Sequence, residues 1–225
     1  MTAATLPDVP GIGQADPAAL RALAEVAARR GWNADGMAAA ISEESGWRTD
    51  ARNPGSDASG YVQIIPGTAA ALGTTTEAIR AMSGAEQVSL AETYWLRASR
   101  GRPIGPWDWL LLGLGVGNAP DVAPRDLPDA AELYAAGSAG ARGNPGLQDP
   151  DGAIRVGSVR RYLRAYAERS GRRVQVPAAS LLEGMSPRSY GAGGTAAAVG
   201  AVAGVELIFW LGLGGLVYLR RRRGR

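Results

Sequence analysis

The sequence predicts a mainly α-helical domain followed by a single membrane-crossing helix. Apolar residues recur with a helical period through most of the first 170 residues. Helix-starting and helix-stopping residues bracket those stretches. A 25-residue run from Thr195 to Leu219 holds only one charged residue, Glu206, and leads straight into five arginines. The expected organisation is an N-terminal arm over 1–15, a helical domain over 16–170, a linker over 171–194, a transmembrane helix over 195–219 and a basic tail over 220–225.

Residues 1–15 read as a flexible arm. Asp16 and Pro17 then open a helix, Asp as N-cap and Pro in the first turn. Leu20, Leu23, Ala24 and Ala27 form its apolar face, and Gly31 stops it. Asn33 caps a second helix running through Met37 and Ile41 to about Glu44, with Gly46 as terminator. The stretch 48–60 is loop-like, and Tyr61 to Ile65 is a short strand or a buried turn. Pro66 begins a short helix that ends at Gly73. Ser83 and Glu86 form a capping box for a helix through Tyr94 and Trp95. The stretch 101–128 is rich in Gly and Pro around an apolar segment, Trp107 to Leu114. After a loop over 142–152, Ser158 is the expected cap of a last helix with Val159, Tyr162, Leu163 and Tyr166 on one face.

The apolar run 195–219 would span roughly 37 Å as a helix, enough for a hydrocarbon core of about 30 Å. Gly200 and Gly204 have the spacing that lets membrane helices pack closely, so self-association is one expected partnership and the lipid bilayer another. The arginines that follow predict a cytoplasmic C-terminus. Residues 1–16 carry Asp8, Asp16 and two prolines, with neither a basic start nor an apolar centre, so they do not read as a secretory signal. The formal charge of +3 describes the tail, because nineteen arginines face twenty acids over residues 1–190.

The chain has neither Cys nor His, which excludes disulfides, thiol nucleophiles, Ser-His-Asp triads and zinc sites built on those residues. Acid-base chemistry therefore falls to Asp, Glu or Tyr. Met37, Ile41 and Glu44 follow i, i+4, i+7 spacing, so Glu44 shares the core-facing stripe of the second helix. Glu43 is rotated about 100° away and is expected to see solvent. A carboxyl on a buried stripe is desolvated, which favours its neutral form and suits a general acid. The alternative for Glu44 is a helix-end carboxylate in a structural hydrogen bond.

Three segments together resemble a known family. Glu44-Ser45-Gly46-Trp47 is followed by Gly60-Tyr61-Val62-Gln63-Ile64-Ile65-Pro66-Gly67-Thr68-Ala69 and then Leu72-Gly73. These look like the lytic transglycosylases of the soluble-lytic-transglycosylase group, within the lysozyme-like superfamily, with phage-borne members as the nearest type. Ser83 to Gln87 with Tyr94, and Asn144 to Leu147 with Asp149 to Ile154, resemble later segments of such enzymes, so the likeness covers about 16–170. It implies a lysozyme-like fold, peptidoglycan glycan strands as substrate, no cofactor and no metal. It further implies that Glu44 protonates the bond between N-acetylmuramic acid and N-acetylglucosamine, then takes a proton from the muramyl 6-hydroxyl as a 1,6-anhydro ring closes. Gln63 would line the cleft and bind sugar; its alternative is a buried amide that holds the loop. Ser45 would support Glu44 or a sugar group, or else close the helix. Tyr61 stands where the family usually has an aliphatic residue and is read mainly as core, with substrate contact as the second reading.

The sequence departs from the family pattern at Gly117-Asn118-Ala119-Pro120, where a Tyr is usual in place of Gly117, so Asn118 is a weaker sugar-binding candidate. Asp57 is a candidate second carboxylate, which would give hydrolysis as in a muramidase; its alternative is an ordinary turn residue. Asp149 to Ile154 has the look of a calcium loop, but Leu147 and Ser158 fall where oxygen-rich ligands are needed, so a turn is expected. Seven arginines between Arg155 and Arg173 suit either an anionic polymer or a solvated helix face. The combined expectation is a virion-associated enzyme, anchored in a viral or host membrane and touching other virion proteins, that opens the host cell wall during genome entry. A cellular, membrane-anchored transglycosylase of a secretion or conjugation apparatus, and a non-enzymatic virion protein of lysozyme-like fold, are the alternatives.

Overall fold

The computed structural model describes residues 4–115 and 122–177. Over these residues the protein is mainly helical, with two small two-stranded sheets. The apolar run 195–219, the tail 220–225, most of the linker and Asn118 lie outside the described residues.

Local capping chemistry sets the first helices. Helix α1 spans Pro17–Arg30; Asp16 accepts a hydrogen bond from the Ala18 N–H at 2.9 Å, and Gly31 ends the helix at φ 65°. Helix α2 spans Ala34–Ser45; Asn33 accepts from the Gly36 N–H at 2.6 Å, and Gly46 ends it at φ 61°. Each terminal glycine adopts the left-handed conformation that closes a helix without a Cβ clash. Helix α3 spans Pro66–Ala71 and helix α4 spans Thr76–Ala81. Helix α4 has no counterpart in the sequence reading, although Thr75 caps it through a hydrogen bond from the Ala78 N–H at 3.1 Å. Helix α5 spans Gly84–Ala98 and carries the expected Ser83–Glu86 capping box.

Helix α2 is the centre of the domain. Met37, Ala38, Ala39, Ala40 and Ile41 are all buried, so it is covered on every side rather than along one stripe. Its neighbours are α1, α6 (Trp109–Gly113) and α8 (Val156–Glu168). A Cβ at Gly36 would run into the Pro106 carbonyl and the Trp109 ring, so this close crossing admits only glycine. Trp32, Trp95 and Trp109 meet edge-on or tilted with centroids 4.9 to 6.3 Å apart, joining α1, α5 and α6 in one aromatic cluster. Helices α1 and α5 are also linked by Glu92, which takes both Arg29 and Arg30.

The N-terminal arm is not free, which corrects the sequence reading. Strand β1 (Thr5–Pro7) pairs antiparallel with β4 (Arg173–Gln175), and Leu6, Val9 and Ile12 enter the core. The beginning of the expected linker thereby belongs to the domain. The arm also braces α2: Ser42 Oγ donates to the Pro10 carbonyl at 2.5 Å, and Gly11 packs on the Gly46 backbone. The last helix starts earlier than expected. Ser158 is its third residue, and its Oγ accepts from the Arg155 N–H at 2.9 Å. The second sheet pairs β2 (Glu132–Tyr134) with β3 (Ile154–Arg155), and α7 (Ala139–Gly143) lies between them in the chain. Asp149 to Gly152 forms a turn, with the Gly152 N–H donating to the Asp149 carbonyl at 2.8 Å. Asp149 and Asp151 are occupied by Arg155 and Arg161.

Candidate active site

Glu44 sits in the last turn of α2, one residue before the helix ends and two before Gly46. The residue keeps part of its surface, but its carboxyl lies where water is largely excluded. A methyl group at Gly113 would come within 3.7 Å of Glu44 Oε1, so the end of α6 stands against the carboxyl. Tyr94 of α5 is close enough that the charge of Glu44 adds to burial in pushing the phenol above its ordinary range. Among the described residues Glu44 has no hydrogen bond and no ion pair. Desolvation, and secondarily the charge of Glu43, push its carboxyl up to about 8. The carbonyl end of a helix, bearing partial negative charge, also disfavours an anion there. Such a group holds a proton at neutral pH and releases it readily to a base of comparable strength.

Glu43 is only partly exposed, where the sequence reading expected it in solvent. Because α2 is enclosed, the side opposite its apolar stripe meets α8. There Tyr162 Oη donates to Glu43 Oε1 at 2.6 Å. The Glu43 carboxyl is raised on balance: burial outweighs Tyr162, Arg169 and Tyr166, which act in the other direction.

Ser45 is buried and its Oγ donates to the Ile41 carbonyl at 2.9 Å. It takes the helix-closing role, because its hydroxyl is spent on the preceding turn and has no open path to a sugar. Tyr61 is 2% exposed and packs edge-on against Trp47 with centroids 5.5 Å apart, which places it in the core and not on a cleft wall. Gln63 is partly exposed and holds φ 47°, an uncommon conformation for a side-chain-bearing residue. Its Nε2 donates to the Gly60 carbonyl at 2.9 Å, and no donor to its amide oxygen occurs among the described residues. The turn carrying Gln63 is held from behind by Gln87, a buried side chain. The Gln87 Oε1 accepts from the Tyr61 N–H at 2.8 Å, and its Nε2 donates to the Thr49 and Ile79 carbonyls at 2.8 and 2.7 Å. Sequence reasoning placed Gln87 in a motif but assigned it no task; a polar residue inside an otherwise apolar helix face was the available signal.

Asp57 belongs to a different environment. Arg52 donates to its Oδ1 at 2.5 Å, Thr76 Oγ1 to its Oδ2 at 2.7 Å, and Arg80 lies 3.4 Å from Oδ1. Thr76 and Arg52 foremost hold its carboxyl below the ordinary range. It braces the loop as an ion, with three donors on its two oxygens. No group of acids that could hold a metal ion occurs among the described residues.

Comparison with known proteins gives no independent assignment: no family model, no curated protein and no solved structure matches this chain.

Proposed function

We propose that this protein is a peptidoglycan lytic transglycosylase with a lysozyme-like domain. The observation that carries the reading is Glu44: a lone carboxyl with no donor among the described residues, pushed up to about 8, in the motif that resembles that family's catalytic segment. Glu44 donates its proton to the glycosidic oxygen between N-acetylmuramic acid and N-acetylglucosamine, and the departing sugar leaves a positively charged muramyl centre. The carboxylate so formed takes the proton of the muramyl 6-hydroxyl, whose oxygen closes onto the anomeric carbon as a 1,6-anhydro ring. One carboxyl serves both steps, so no second acid is required. Gln63 is the sugar-binding candidate that keeps a partly exposed side chain among the described residues. The hydrolytic variant needs a free base to activate water, and the three donors on Asp57 argue against that residue supplying it.

The apolar run 195–219 with its arginine tail supports a membrane anchor, and the phage-like character of the motifs supports a place in a virion that opens the host wall during genome entry. Purified peptidoglycan tests the enzymatic reading. The parent protein should release fragments whose mass shows anhydro ends, and Glu44→Gln should release almost none. Undiminished lysis by Glu44→Gln removes Glu44 as the acid; fragments with reducing ends indicate hydrolysis. Detection of the protein in purified particles tests its location.

A further inference from the structure

Glu43 and Glu44 are neighbours on the last turn of α2 and meet opposite surroundings. Glu44 faces α5 and α6. Among the described residues the titratable group there is Tyr94, and α6 offers the backbone of Gly113. Glu43 faces α8. Tyr162 donates to it at 2.6 Å, Tyr166 is a second hydrogen-bonding neighbour, and Arg169 adds a cation. Arg169 itself lies over the Tyr166 ring at 5.0 Å, and Tyr166 Oη is 3.0 Å from Ser42 Oγ on α2. Helix α8 therefore presents Glu43 with donors and positive charge, whereas the described residues around Glu44 present neither.

Burial opposes ionisation of both carboxyls and raises both, but at Glu43 the donors and the cation offset part of it, whereas at Glu44 no donor among the described residues does. Glu43 loses its proton first, and its charge then stands one residue from Glu44. Two interacting acids of this kind titrate as a pair, in an order set by their surroundings. We propose that Glu43 is a positioning residue: Tyr162 and the end of α8 hold its carboxyl in place, and the negative charge it carries once ionised, one position along the helix, opposes ionisation of the unpartnered Glu44 carboxyl. Tyr162, Tyr166 and Arg169 thus act on the chemistry of α2 from a helix that does not touch the reacting atoms. The inference deepens the reading of Glu44 as the catalytic acid and rests on it. A simple clamp between α2 and α8 would instead lower activity equally at every pH.

The test is a carbon-13 titration of the glutamate carboxyls in the full-length chain, solubilised in detergent, beside the pH profile of wall lysis. In the parent, Glu43 should ionise before Glu44, with the Glu44 midpoint near 8. In Glu43→Gln, the Glu44 midpoint should fall by roughly half to one pH unit. The alkaline limb of lysis should move with it. Glu43→Asp, which restores the charge, should return both toward the parent values. A Glu44 midpoint unmoved in Glu43→Gln overturns the proposal, and so does a parent in which Glu44 ionises first. The parent measurement needs no substitution and can overturn the proposal even where a variant fails to fold. Because the midpoints are read without turnover, their failure is separate from that of the enzymatic reading, which Glu44→Gln tests.

Discussion

The end of helix α2 and the loop that follows it each carry a carboxyl, and the two are prepared for opposite purposes. Glu44 lies in a partly closed site with no donor among the described residues, and it is raised to about 8. Asp57, thirteen positions on, is met by Arg52, Thr76 and Arg80, and its carboxyl is held low. Both are acids on irregular or terminal backbone, and composition alone treats them alike. The difference lies in what surrounds them: donors stabilise an anion, and their absence stabilises the acid. A loop is braced by the first arrangement, and a proton is stored by the second.

The largest expected effect comes from removing the stored proton. Glu44→Gln should lower wall lysis by about 10²- to 10⁴-fold, the usual range for a general acid, as read by turbidity loss of purified peptidoglycan. The same variant should be more stable than the parent at pH 8. A carboxyl whose folded value lies above its unfolded value favours folding most at low pH, and stability is lost as pH rises through the folded value. The Gln variant escapes that loss, so denaturant midpoints of the two proteins should converge on acidification. Convergence in the other direction would contradict the buried neutral acid.

On the proposed reading, the parent protein should lose lytic activity as pH rises through about 8, approaching tenfold per unit above it, because only protonated Glu44 would start the reaction. A profile flat to pH 9.5 would sink this assignment.

Next in size is the support behind the helix. Gly11 holds φ 85°, and a Cβ there would run into the Gly46 carbonyl. Gly11→Ala should cost about 1–3 kcal/mol of stability, visible as a lower thermal midpoint. An unchanged midpoint would mean that the arm does not brace α2.

The smallest effect on lysis is expected from Asp57→Asn. Activity should stay within about threefold, since the residue gives no proton in the reaction, while a hydrolytic base would cost far more. Its contribution to loop order is present at neutral pH and lost on acidification through its lowered folded value. Proteolysis of the 48–60 loop in Asp57→Asn should therefore be faster than in the parent at pH 7.

Much of this was legible in the sequence because it is local chemistry. Asp16 with Pro17, Asn33, and Ser83 with Glu86 mark helix starts within three residues of the groups they satisfy, and Gly31 and Gly46 mark ends through their own backbone. The partial burial of Glu44 followed from its spacing to Met37 and Ile41. Helix α4 escaped notice because three threonines in a row, Thr74 to Thr76, favour turns and caps as readily as a helix. Tyr61 and Ser45 belong to the candidate motif but are used internally, which motif spacing does not distinguish from contact with a ligand.

What the sequence determined by itself is the helical period, the capped helix ends, the absence of thiol and imidazole chemistry, and the single carboxyl on a buried stripe. Tertiary structure alone decided that the N-terminal arm is a strand, since Thr5 and its partner Gln175 are far apart in the chain and neither marks the other. It also decided the fate of Glu43. An amphipathic reading allots every helix one wet face, but α2 is enclosed, and the residue expected in water is instead held by Tyr162 from 119 positions away. Local propensity has a reach of a few residues, whereas the electrostatic surroundings of a buried acid are assembled from whatever helices the fold brings beside it.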